Sequence, residues 1–443
     1  MAYRGLMQTD DLILISVDDH VIEPPGMFDA HLPARFKDRA PRIERGADGA
    51  DFWTFGSTVV PNVALNAIAG RPKEEYGIEP QSLEEIRTGC YDVHERVKDM
   101  SAGGMLASMN FPSFPGFAAR LFAIEDEEFG LALVRAYNDW HIDEWAGAYP
   151  GRFIPMALPV IWDAEKCAAE VRRVAAKGCH SLTFTENPAA LGYPSFHSHY
   201  WDPLWRALCD TSTVLSVHLG SSGQMAIPAK DSPPDVMITL QPMNICSAAA
   251  DLLWSRVIKE FPDLKIALSE GGTGWIPYFL ERCDRTYEMH AGWTGQDFGG
   301  KKPSEVFREH FLTCFISDVT GIALRHEIGI DNIAWECDYP HSDSMWPSAP
   351  EQLHGAFEEF LVPDDEVRKM TYENAMRWYE FDPFAHVPRE QATVGALRRS
   401  VEGHDVAVRA RSRRGPKSQA ERAAAFNDAM LRMGEDESAP AQR

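Results

Sequence analysis

The stretch "LISVDDHVIEPP" (residues 14–25) decides the predicted fold, because it joins a run of apolar residues to a cluster of charged ones. The run Leu12–Val17 is rich in β-branched residues and is typical of a strand buried on both faces. Asp18, His20 and Glu23 follow it within six residues. Carboxylate and imidazole side chains of this kind bind divalent metals. The sequence therefore predicts that this strand delivers ligands into a shared site.

Seven further runs of the same kind follow, and most of them are separated by segments with helical periodicity. Near-continuous apolar strands that alternate with helices pair in parallel and are joined by right-handed crossovers. Eight such strands predict an α/β fold of the (β/α)8 TIM-barrel type, with a doubly wound open sheet as the alternative. Helices are predicted over Asp126–Tyr149 and Asp163–Lys177. The predicted strands are Leu12–Val17, Leu106–Phe111, Phe153–Pro159, Ser181–Thr185, Val214–Leu219, Leu264–Ser269, Phe311–Ser317 and Asn332–Cys337.

The composition describes a globular, acidic chain of 443 residues, of which 44% are hydrophobic and 25% charged. The net charge of −23 argues against a nucleic-acid partner, because no general positive field attracts phosphates. The eight cysteines include no C-x-x-C pair, so we expect reduced thiols rather than disulfides or a zinc ribbon. No apolar run approaches the roughly 18 residues of a membrane span, and no signal peptide is visible. We therefore expect no membrane partner and a cytoplasmic location.

Two segments are not accounted for by the strands and helices of the predicted barrel. Residues from about 24 to 90, between the first two predicted strands, include the stretch "DFWTFGSTVVPNVALNAIAG" (51–70). A connection of this length predicts an inserted lid or cap on a metal-dependent barrel domain of residues 1–387. Residues 388–443 are basic in their middle and acidic at their end. They predict a mobile or partner-wrapping C-terminal extension.

Polar side chains end most of the predicted strands. In a parallel barrel the carboxyl ends of the strands converge on one face, where catalytic residues lie. Carboxylates and imidazoles gathered there are costly to bury unless a cation balances their charge. Oxygen and nitrogen ligands without cysteine favour Zn²⁺ or Mn²⁺, with Fe²⁺ as the alternative. These side chains are Asp18 and His20 on strand one, Glu186 on strand four, His218 on strand five, Glu270 on strand six, Asp318 on strand seven, and Asp338 and His341 on strand eight.

Other polar residues near these positions have structural interpretations. For Asp19, a role as a turn residue or a helix cap is as strongly indicated as a role as a metal ligand. His180 lies at the amino end of the fourth predicted strand, where residues usually serve stability. His197 and His199 form an H-x-H pair, but they occupy a loop before a predicted helix, so a ligand role is the less favoured interpretation.

Substrate contact is predicted for several further residues at the mouth of the barrel. Carboxylates there can orient a substrate, although helix capping, ion pairing or a rim position explains them as well. The rings of Trp275, Trp335 and Trp346 are predicted to wall a flat or apolar acyl group, and core packing, expected for at least two of the three, is the alternative. The candidates for substrate binding are Glu23, Glu186, Trp275 and Asp318.

Four motifs together resemble the amidohydrolase-related family. This branch of the amidohydrolase superfamily includes aminocarboxymuconate semialdehyde decarboxylase and the γ-resorcylate-type decarboxylases. The resemblance runs from about residue 12 to 385 and leaves the extension unaccounted for. The motifs lie at the ends of strands one, five, six and eight: D-x-H-x-x-E from Asp18 to Glu23, "SVHLG" around His218, "FPDLKIALSEGGTGWIPYFLERCDR" (261–285) and "WECDYPHSDS" (335–344).

The resemblance implies a (β/α)8 barrel that holds one divalent metal, usually Zn²⁺ or Mn²⁺, at the strand ends. Carried over by position, its ligands are Asp18, His20, His218 and Asp338. Decarboxylases of the family often begin with H-x-H or E-x-H and usually carry a histidine after strand six, where this chain has Glu270. We therefore predict Glu270 as an additional metal ligand.

The predicted activity is metal-assisted hydrolysis of a small amide, ester or acyl substrate by a metal-activated water. Asp338 would orient that water, with His341 or Glu270 as the second acid or base. One alternative is nonoxidative decarboxylation of a small aromatic or unsaturated carboxylic acid. A second is oxygen activation at iron or manganese, suggested by the extra carboxylates Glu23, Glu270 and Asp318. The non-enzymatic alternative is a subunit without metal that stabilises a paralogue.

The assembly is expected to be a symmetric homo-oligomer, either a dimer or a tetramer, as is common for barrel enzymes. A hetero-oligomer with a paralogue is the alternative. A small molecule is the expected substrate in either case.

Overall fold

Eleven strands occur in the described part of the chain, which comprises residues 7–61, 63–64, 66–76, 80–412, 418 and 420–428 of this computed structural model. Eight of these strands are parallel and form two sheets, and three form a separate antiparallel sheet. In chain order they are β1 (Ile15–His20), β2 (Arg42–Arg45), β3 (Asp51–Phe55), β4 (Thr58–Pro61), β5 (Ala107–Phe111), β6 (Phe153–Ile154), β7 (Ser181–Thr185), β8 (Val214–His218), β9 (Ile266–Ser269), β10 (Phe311–Phe315) and β11 (Ile333–Trp335).

Hydrogen bonds at two seams join the parallel sheets into a barrel. One sheet has the order β1-β5-β6 and the other has the order β11-β10-β9-β8-β7. At the first seam, the Ala157 N–H donates to the Ser181 carbonyl at 3.0 Å. At the second, the Asp338 N–H donates to the Asp18 carbonyl at 2.8 Å. The chain therefore has the predicted (β/α)8 TIM-barrel fold rather than an open doubly wound sheet.

Apolar side chains fill both the inside of the barrel and the layer beneath the helices. Along the first strand segment, Leu12 and Leu14 belong to the cluster beneath the helices, whereas Ile15 and Val17 belong to the inner cluster. Successive side chains of a strand point to opposite faces, so both faces of β1 are buried. This explains why the strands of this protein appear in the sequence as continuous apolar runs.

The bounds of all predicted strands except Ser181–Thr185 differ from the prediction, and β1 and β6 differ most. β1 extends to His20 instead of ending at Val17, so Asp18 and His20 lie on the strand itself, and His20 pairs with Phe111 of β5. The third predicted strand, Phe153–Pro159, shrinks to the two residues of β6 and an isolated bridge at Ala157. Proline interrupts the strand here because it has no N–H to donate to the neighbouring strand.

Helices surround the barrel, and several of them begin at a residue whose side chain caps the helix. The Asp126 carboxylate accepts from the Phe129 N–H, and the Asp163 carboxylate caps the following helix in the same way. The predicted helix Asp126–Tyr149 is an α-helix followed by a π-helical segment, Trp140–Ala146. The α-helices are α1 (Met27–His31), α2 (Val93–Ala102), α3 (Glu127–Asp139), α4 (Ala164–Ala175), α5 (Asp202–Asp210), α6 (Pro234–Leu240), α7 (Met243–Leu253), α8 (Val257–Glu260), α9 (Ile276–Thr294), α10 (Pro303–His310), α11 (Val319–Ala323), α12 (Arg325–Ile328), α13 (Ala349–Glu359), α14 (Asp364–Arg368), α15 (Asn374–Trp378) and α16 (Val394–Ser400).

The insertion after β1 contains the antiparallel sheet, with strand order β2-β3-β4. Trp53 of β3 is buried and stacks on Phe114, which lies in the loop after β5, with ring centroids 4.2 Å apart. That loop belongs to the carboxyl-terminal face of the barrel. The antiparallel sheet therefore rests on the face where the predicted ligands lie, and its opening as a lid stays a prediction.

The described part of the C-terminal extension packs on the barrel. The Val394 N–H at the start of α16 donates to the Leu12 carbonyl at 2.8 Å. Residues 420–428 are helical, and the Asn427 side chain donates to the Ser232 carbonyl at 3.0 Å. The acidic end, "GEDESAPAQR" (434–443), lies outside the described residues. Binding of a partner by the extension stays a prediction.

One helical segment, Pro234–Leu253, is long and apolar enough to cross a membrane by length and composition. This differs from the expectation that no segment reaches that length. The segment comprises α6 and α7, and a single segment of this kind is weak support for a membrane span because helices that pack on a protein core meet the same criteria.

Candidate metal centre

The five predicted metal ligands converge at the mouth of the barrel. His20 Nε2 lies 3.6 Å from Asp18 Oδ1 and 3.1 Å from Asp338 Oδ1. His218 Nε2 lies 3.3 Å from Asp18 Oδ2 and 3.7 Å from Glu270 Oε2. Residues from four separate strand ends thus form two overlapping groups of potential ligand atoms, which share His20.

His341 joins this cluster through Asp338. Its Nδ1 lies 2.9 Å from Asp338 Oδ1, and its ring stacks on the His20 ring with centroids 3.7 Å apart. Potential ligand atoms of His20, Glu270, Asp338 and His341 all lie within 4.8 Å of one another. The three predicted catalytic residues, Asp338, Glu270 and His341, therefore share one site with the predicted ligands.

Two of the carboxylates are held by an unusual backbone conformation. Glu270 has φ 58° and Asp338 has φ 59°, which is the left-handed region that residues with a Cβ rarely adopt. Such a conformation costs roughly 1–2 kcal/mol and persists only where the surroundings enforce it. The hydrogen bond from the Asp338 N–H to the Asp18 carbonyl is one such constraint. Backbone strain at both strand ends is consistent with a functional site.

Several ligand atoms are buried without a well-oriented hydrogen-bond partner among the described residues. They are both carboxylate oxygens of Asp18, both of Asp338, and the Nε2 atoms of His20 and His218. Buried polar atoms normally have partners, because leaving one unpaired costs about 1–3 kcal/mol. Oxygen and imidazole nitrogen are donor atoms that Zn²⁺, Mn²⁺ and Fe²⁺ accept. The residues present therefore fit a divalent cation.

Burial and mutual repulsion disfavour the charged forms of two carboxyl groups in the absence of a cation. Burial, together with the charges of Asp338 and Asp19, raises the pKa of Asp18 well above its usual range. Burial, with Asp338 and Asp18 as neighbours, does the same to the pKa of Glu270. Burial also opposes ionisation of Asp338, but His341 and His20 beside it hold the pKa of that carboxyl below its usual range. Asp338 is thus the carboxylate best stabilised in its charged form.

Both ligand histidines are neutral. Burial lowers the pKa of His218 to about 4, and burial with the nearby His341 lowers the pKa of His20. His218 Nδ1–H donates a hydrogen bond to the Leu219 carbonyl at 2.6 Å. This tautomer leaves Nε2 without a proton and free to bind a metal. The protonation state of these rings is therefore the one that metal binding requires.

Glu336 is a buried carboxylate near the site that the sequence analysis missed. Its Oε2 accepts from the Glu270 N–H at 3.2 Å, while its Oε1 has no hydrogen-bond partner among the described residues. Burial and the charge of Asp18 raise its pKa well above the usual range. Glu336 directly follows β11 and lies two residues before Asp338, and a carboxylate at the end of a strand is the signal that could have identified it.

Of the predicted substrate contacts, two carboxylates hold loops together. Glu23 is fully buried, and its two oxygens accept from the Ser113 N–H at 2.9 Å and the Phe114 N–H at 2.8 Å. Asp318 Oδ2 accepts from the hydroxyl of Thr273 and the N–H of Gly274, both at 3.2 Å. In this structure these carboxylates therefore fix the loops around the mouth instead of pointing freely into it.

The other two predicted contacts remain at the rim. Glu186 Oε1 accepts from the Ser222 hydroxyl at 2.6 Å, whereas its Oε2 is buried without a hydrogen-bond partner among the described residues. Trp275 is half-buried, and its Nε1–H donates to the Gly271 carbonyl at 2.8 Å. Glu186 is thus better placed to accept a hydrogen bond from a substrate.

The aromatic wall beside the ligands differs from the predicted one. Trp335 and Trp346 are both buried in the apolar core, which confirms the packing alternative for these two residues. Phe117, which the sequence analysis missed, stacks on the His218 ring with centroids 3.9 Å apart and planes 12° apart. Its position in a loop after β5 carries no local signal, so the prediction had no means of finding it.

The remaining polar candidates lie outside the cluster. His180 is bound to the Thr211 carbonyl at 2.9 Å, in accordance with a structural role. His197 and His199 are exposed and pair with neighbouring aspartates. Asp19 is neither a turn residue nor a helix cap: its Oδ1 accepts from the Tyr339 N–H at 3.1 Å inside the protein.

A family model and several solved structures are similar to this chain. The family model described as amidohydrolase matches residues 85–381, which is more than half of the chain. No curated protein sequence matches the chain. Among solved structures, an amidohydrolase from Mycobacterium avium subsp. paratuberculosis K-10 is similar, with 20% identity and a TM-score of 0.63 over 83% of this chain and 99% of that one.

Two decarboxylases are similar as well. The 5-carboxyvanillate decarboxylase from Sphingomonas paucimobilis has 22% identity and a TM-score of 0.59 over 84% of this chain and all of that one. A dihydroxybenzoic acid decarboxylase from Polaromonas sp. JS666, solved with manganese and the inhibitor 2-nitroresorcinol, has 18% identity and a TM-score of 0.54 over 85% and 98% of the two chains. At these identities the likeness shows the common fold.

Proposed function

Because this chain belongs to the amidohydrolase family, we propose that it is a metal-dependent carboxy-lyase that removes carbon dioxide from a small aromatic carboxylic acid. Two of the similar solved structures are decarboxylases, and one of these contains manganese. This likeness favours decarboxylation over the hydrolysis predicted from the sequence.

The observation that carries the proposal is the set of buried carboxylate and imidazole atoms of Asp18, His20, His218 and Asp338, which lack a well-oriented hydrogen-bond partner among the described residues. A divalent cation held by these residues would attract the substrate's oxygen atoms and stabilise negative charge as the carbon–carbon bond breaks. Manganese and zinc are the first candidates, since both accept mixed oxygen and nitrogen ligands.

The residues of this chain would place and protonate the substrate. Loss of carbon dioxide leaves an electron pair on the ring carbon, and a proton must take the place of the carboxyl group. We assign the delivery of this proton to the pair of His341 and Asp338, whose Nδ1 and Oδ1 atoms are 2.9 Å apart. Phe117, which is partly exposed and stacks on His218, adds an aromatic side chain beside the candidate ligands that an aromatic substrate can contact.

The test combines metal analysis with an activity assay. We expect protein purified without chelator or affinity-column nickel to contain about one equivalent of manganese or zinc, and to release carbon dioxide from at least one member of a panel of hydroxylated benzoic acids. Asp338→Asn removes a ligand charge and should lose both the metal and the activity. Asp365→Asn, a change at an exposed residue, should keep both. Wild-type protein without metal would contradict the proposal.

Hydrolysis is the second candidate, and Glu270 is the residue that favours it. Its carboxyl lies 3.7 Å from His218, and burial with neighbouring negative charges raises its pKa, so that it can hold a proton for a leaving group. An ester and amide panel assayed with metal-loaded wild type and Glu270→Gln tests this candidate. Hydrolysis that depends on Glu270, without release of carbon dioxide from any acid, would replace the carboxy-lyase proposal.

A further inference from the structure

The C-terminal extension reaches the metal centre through buried contacts. We propose that His404, acting through Asp99, is a positioning residue that fixes the turn Asp338–His341, which carries a metal ligand and the proton donor. The inference rests on the proposed metal site. It assigns the C-terminal extension a role in that site, and neither the family match nor the sequence motifs indicate this role.

The first contact joins the extension to α2. His404 Nε2 lies 2.7 Å from Asp99 Oδ1, and because a carboxylate only accepts, this nitrogen donates its proton. Asp99 is almost completely buried and also accepts from Arg87 Nε at 2.9 Å. These partners hold the pKa of Asp99 below its usual range although burial alone would raise it. Asp99 is therefore a fixed, negatively charged anchor.

The second contact joins this anchor to the metal turn. The Tyr339 hydroxyl donates to Asp99 Oδ2 at 2.6 Å, and Tyr339 directly follows the ligand Asp338. The Tyr339 carbonyl accepts from the His20 N–H at 2.7 Å, so the same residue touches the backbone of a second ligand. The position of Tyr339 thus determines the spacing between the ends of β1 and β11.

Arg96 of α2 also contacts Tyr339. Its guanidinium lies over the Tyr339 ring at 4.5 Å from the centroid and donates to the His20 carbonyl. It also lies 3.7 Å from Asp19 Oδ2, whose partner oxygen accepts from the Tyr339 N–H. Tyr339 is therefore enclosed by bonds from α2 and β1, and His404 reaches it through Asp99.

A parallel route runs through the insertion. The Arg409 N–H donates to the Gly70 carbonyl at 2.9 Å, and the Arg411 N–H donates to the Glu75 carboxylate at 3.0 Å. Within the same loop, the Ile68 and Ala69 N–H groups both donate to the Pro340 carbonyl at 2.9 Å. The extension therefore holds the turn Asp338–His341 by a side-chain route and by a backbone route.

The test measures metal affinity in full-length protein stripped of metal. Titration calorimetry with manganese should give a dissociation constant about 10- to 100-fold weaker for His404→Ala than for wild type, as is typical when a supporting partner of a metal ligand is lost. His404→Gln keeps an N–H donor for Asp99 and should restore the affinity to within about threefold of wild type. His386→Ala, an exposed histidine upstream of the extension, should leave it unchanged.

Thermal unfolding of the same metal-free proteins separates positioning from a purely structural role. A lower unfolding temperature for His404→Ala with an unchanged manganese affinity would overturn the inference, because the extension would then stabilise the fold without acting on the site. A wild-type protein that binds no manganese or zinc would instead contradict the proposed function. Weaker binding in His404→Ala with recovery in His404→Gln supports the positioning role.

Discussion

His141 is a buried histidine outside the metal centre whose protonation is coupled to folding. Its Nε2 lies 3.1 Å from the Asn110 carbonyl, and its Nδ1 faces the Met156 N–H at 3.4 Å. Burial lowers the pKa of His141 to about 4, compared with roughly 6.5 in an unfolded chain. The folded protein therefore binds this proton less readily than the unfolded chain does.

We predict that this histidine makes the protein less stable as the pH falls from 6.5 towards 4. In that window the unfolded chain binds more protons, so the free energy of unfolding rises with pH, and about 2 kcal/mol is lost between pH 7 and pH 5. Urea unfolding of wild type and His141→Gln at both pH values checks this, because glutamine cannot be protonated. An equal loss of stability in both proteins would contradict the prediction.

The convergence of the candidate ligands could be predicted from the sequence, because a charged residue at the end of a buried strand needs a partner. Asp18, His218 and Asp338 follow this rule and meet at the mouth. Glu336 escaped notice because it lies within a predicted strand, and Phe117 because loop conformation is not encoded in a local pattern. Their places depend on contacts between segments that are distant in the sequence.

At the scale of elements, aromatic side chains of β3 join the antiparallel sheet β2-β3-β4 to the barrel. Trp53 stacks on Phe114 and packs at right angles to Phe28, with ring centroids 6.2 Å apart in the second pair. Phe114 belongs to the loop whose backbone is bound by Glu23. Movement of the sheet is therefore coupled to a loop at the mouth.

Trp53→Ala should loosen this sheet from the barrel. Truncation of a buried tryptophan costs about 3–5 kcal/mol, because it removes apolar contacts and leaves a cavity. Limited proteolysis should cut the insertion faster in this variant, and urea unfolding should show the loss of stability. Val59→Ala, at an exposed residue of β4, should behave like wild type. Unchanged proteolysis in Trp53→Ala would show that other contacts hold the sheet.

Element types were easier to predict than element ends. The strand Ser181–Thr185 and the cap at Asp163 were predicted as observed, because apolar runs and capping residues are local signals. β6 is short because prolines interrupt the apolar run. The docking of the extension was not predictable, since it depends on Asp99 and other residues of the folded barrel.

At the scale of the whole molecule, α9 exposes an apolar face. Tyr278, Met289 and Trp293 are 71%, 53% and 77% exposed and lie on one side of the helix by their spacing. Arg285 and Glu288 between them carry opposite charges. Exposed apolar groups arranged in this way are typical of an interface between protein chains. We propose that two copies of the chain associate through this face.

Light scattering coupled to gel filtration tests this proposal. Wild type should elute with the mass of at least two chains, and Trp293→Ser should shift the mass to that of a monomer, since the most exposed aromatic side chain of the face is lost. Val408→Ser, at an exposed apolar residue of the extension, should leave the assembly unchanged. A monomeric wild type would rule out this interface.

The seam that closes the barrel also determines when the site can exist during synthesis. The bond from the Tyr339 N–H to the Asp19 carboxylate joins residues that are 320 positions apart. At the roughly 5–20 residues per second of translation, the first two ligands leave the ribosome tens of seconds before the last strand can meet them. A nascent chain would therefore lack the complete set of candidate ligands, and the proposed metal ion would bind only after nearly the whole polypeptide has been made.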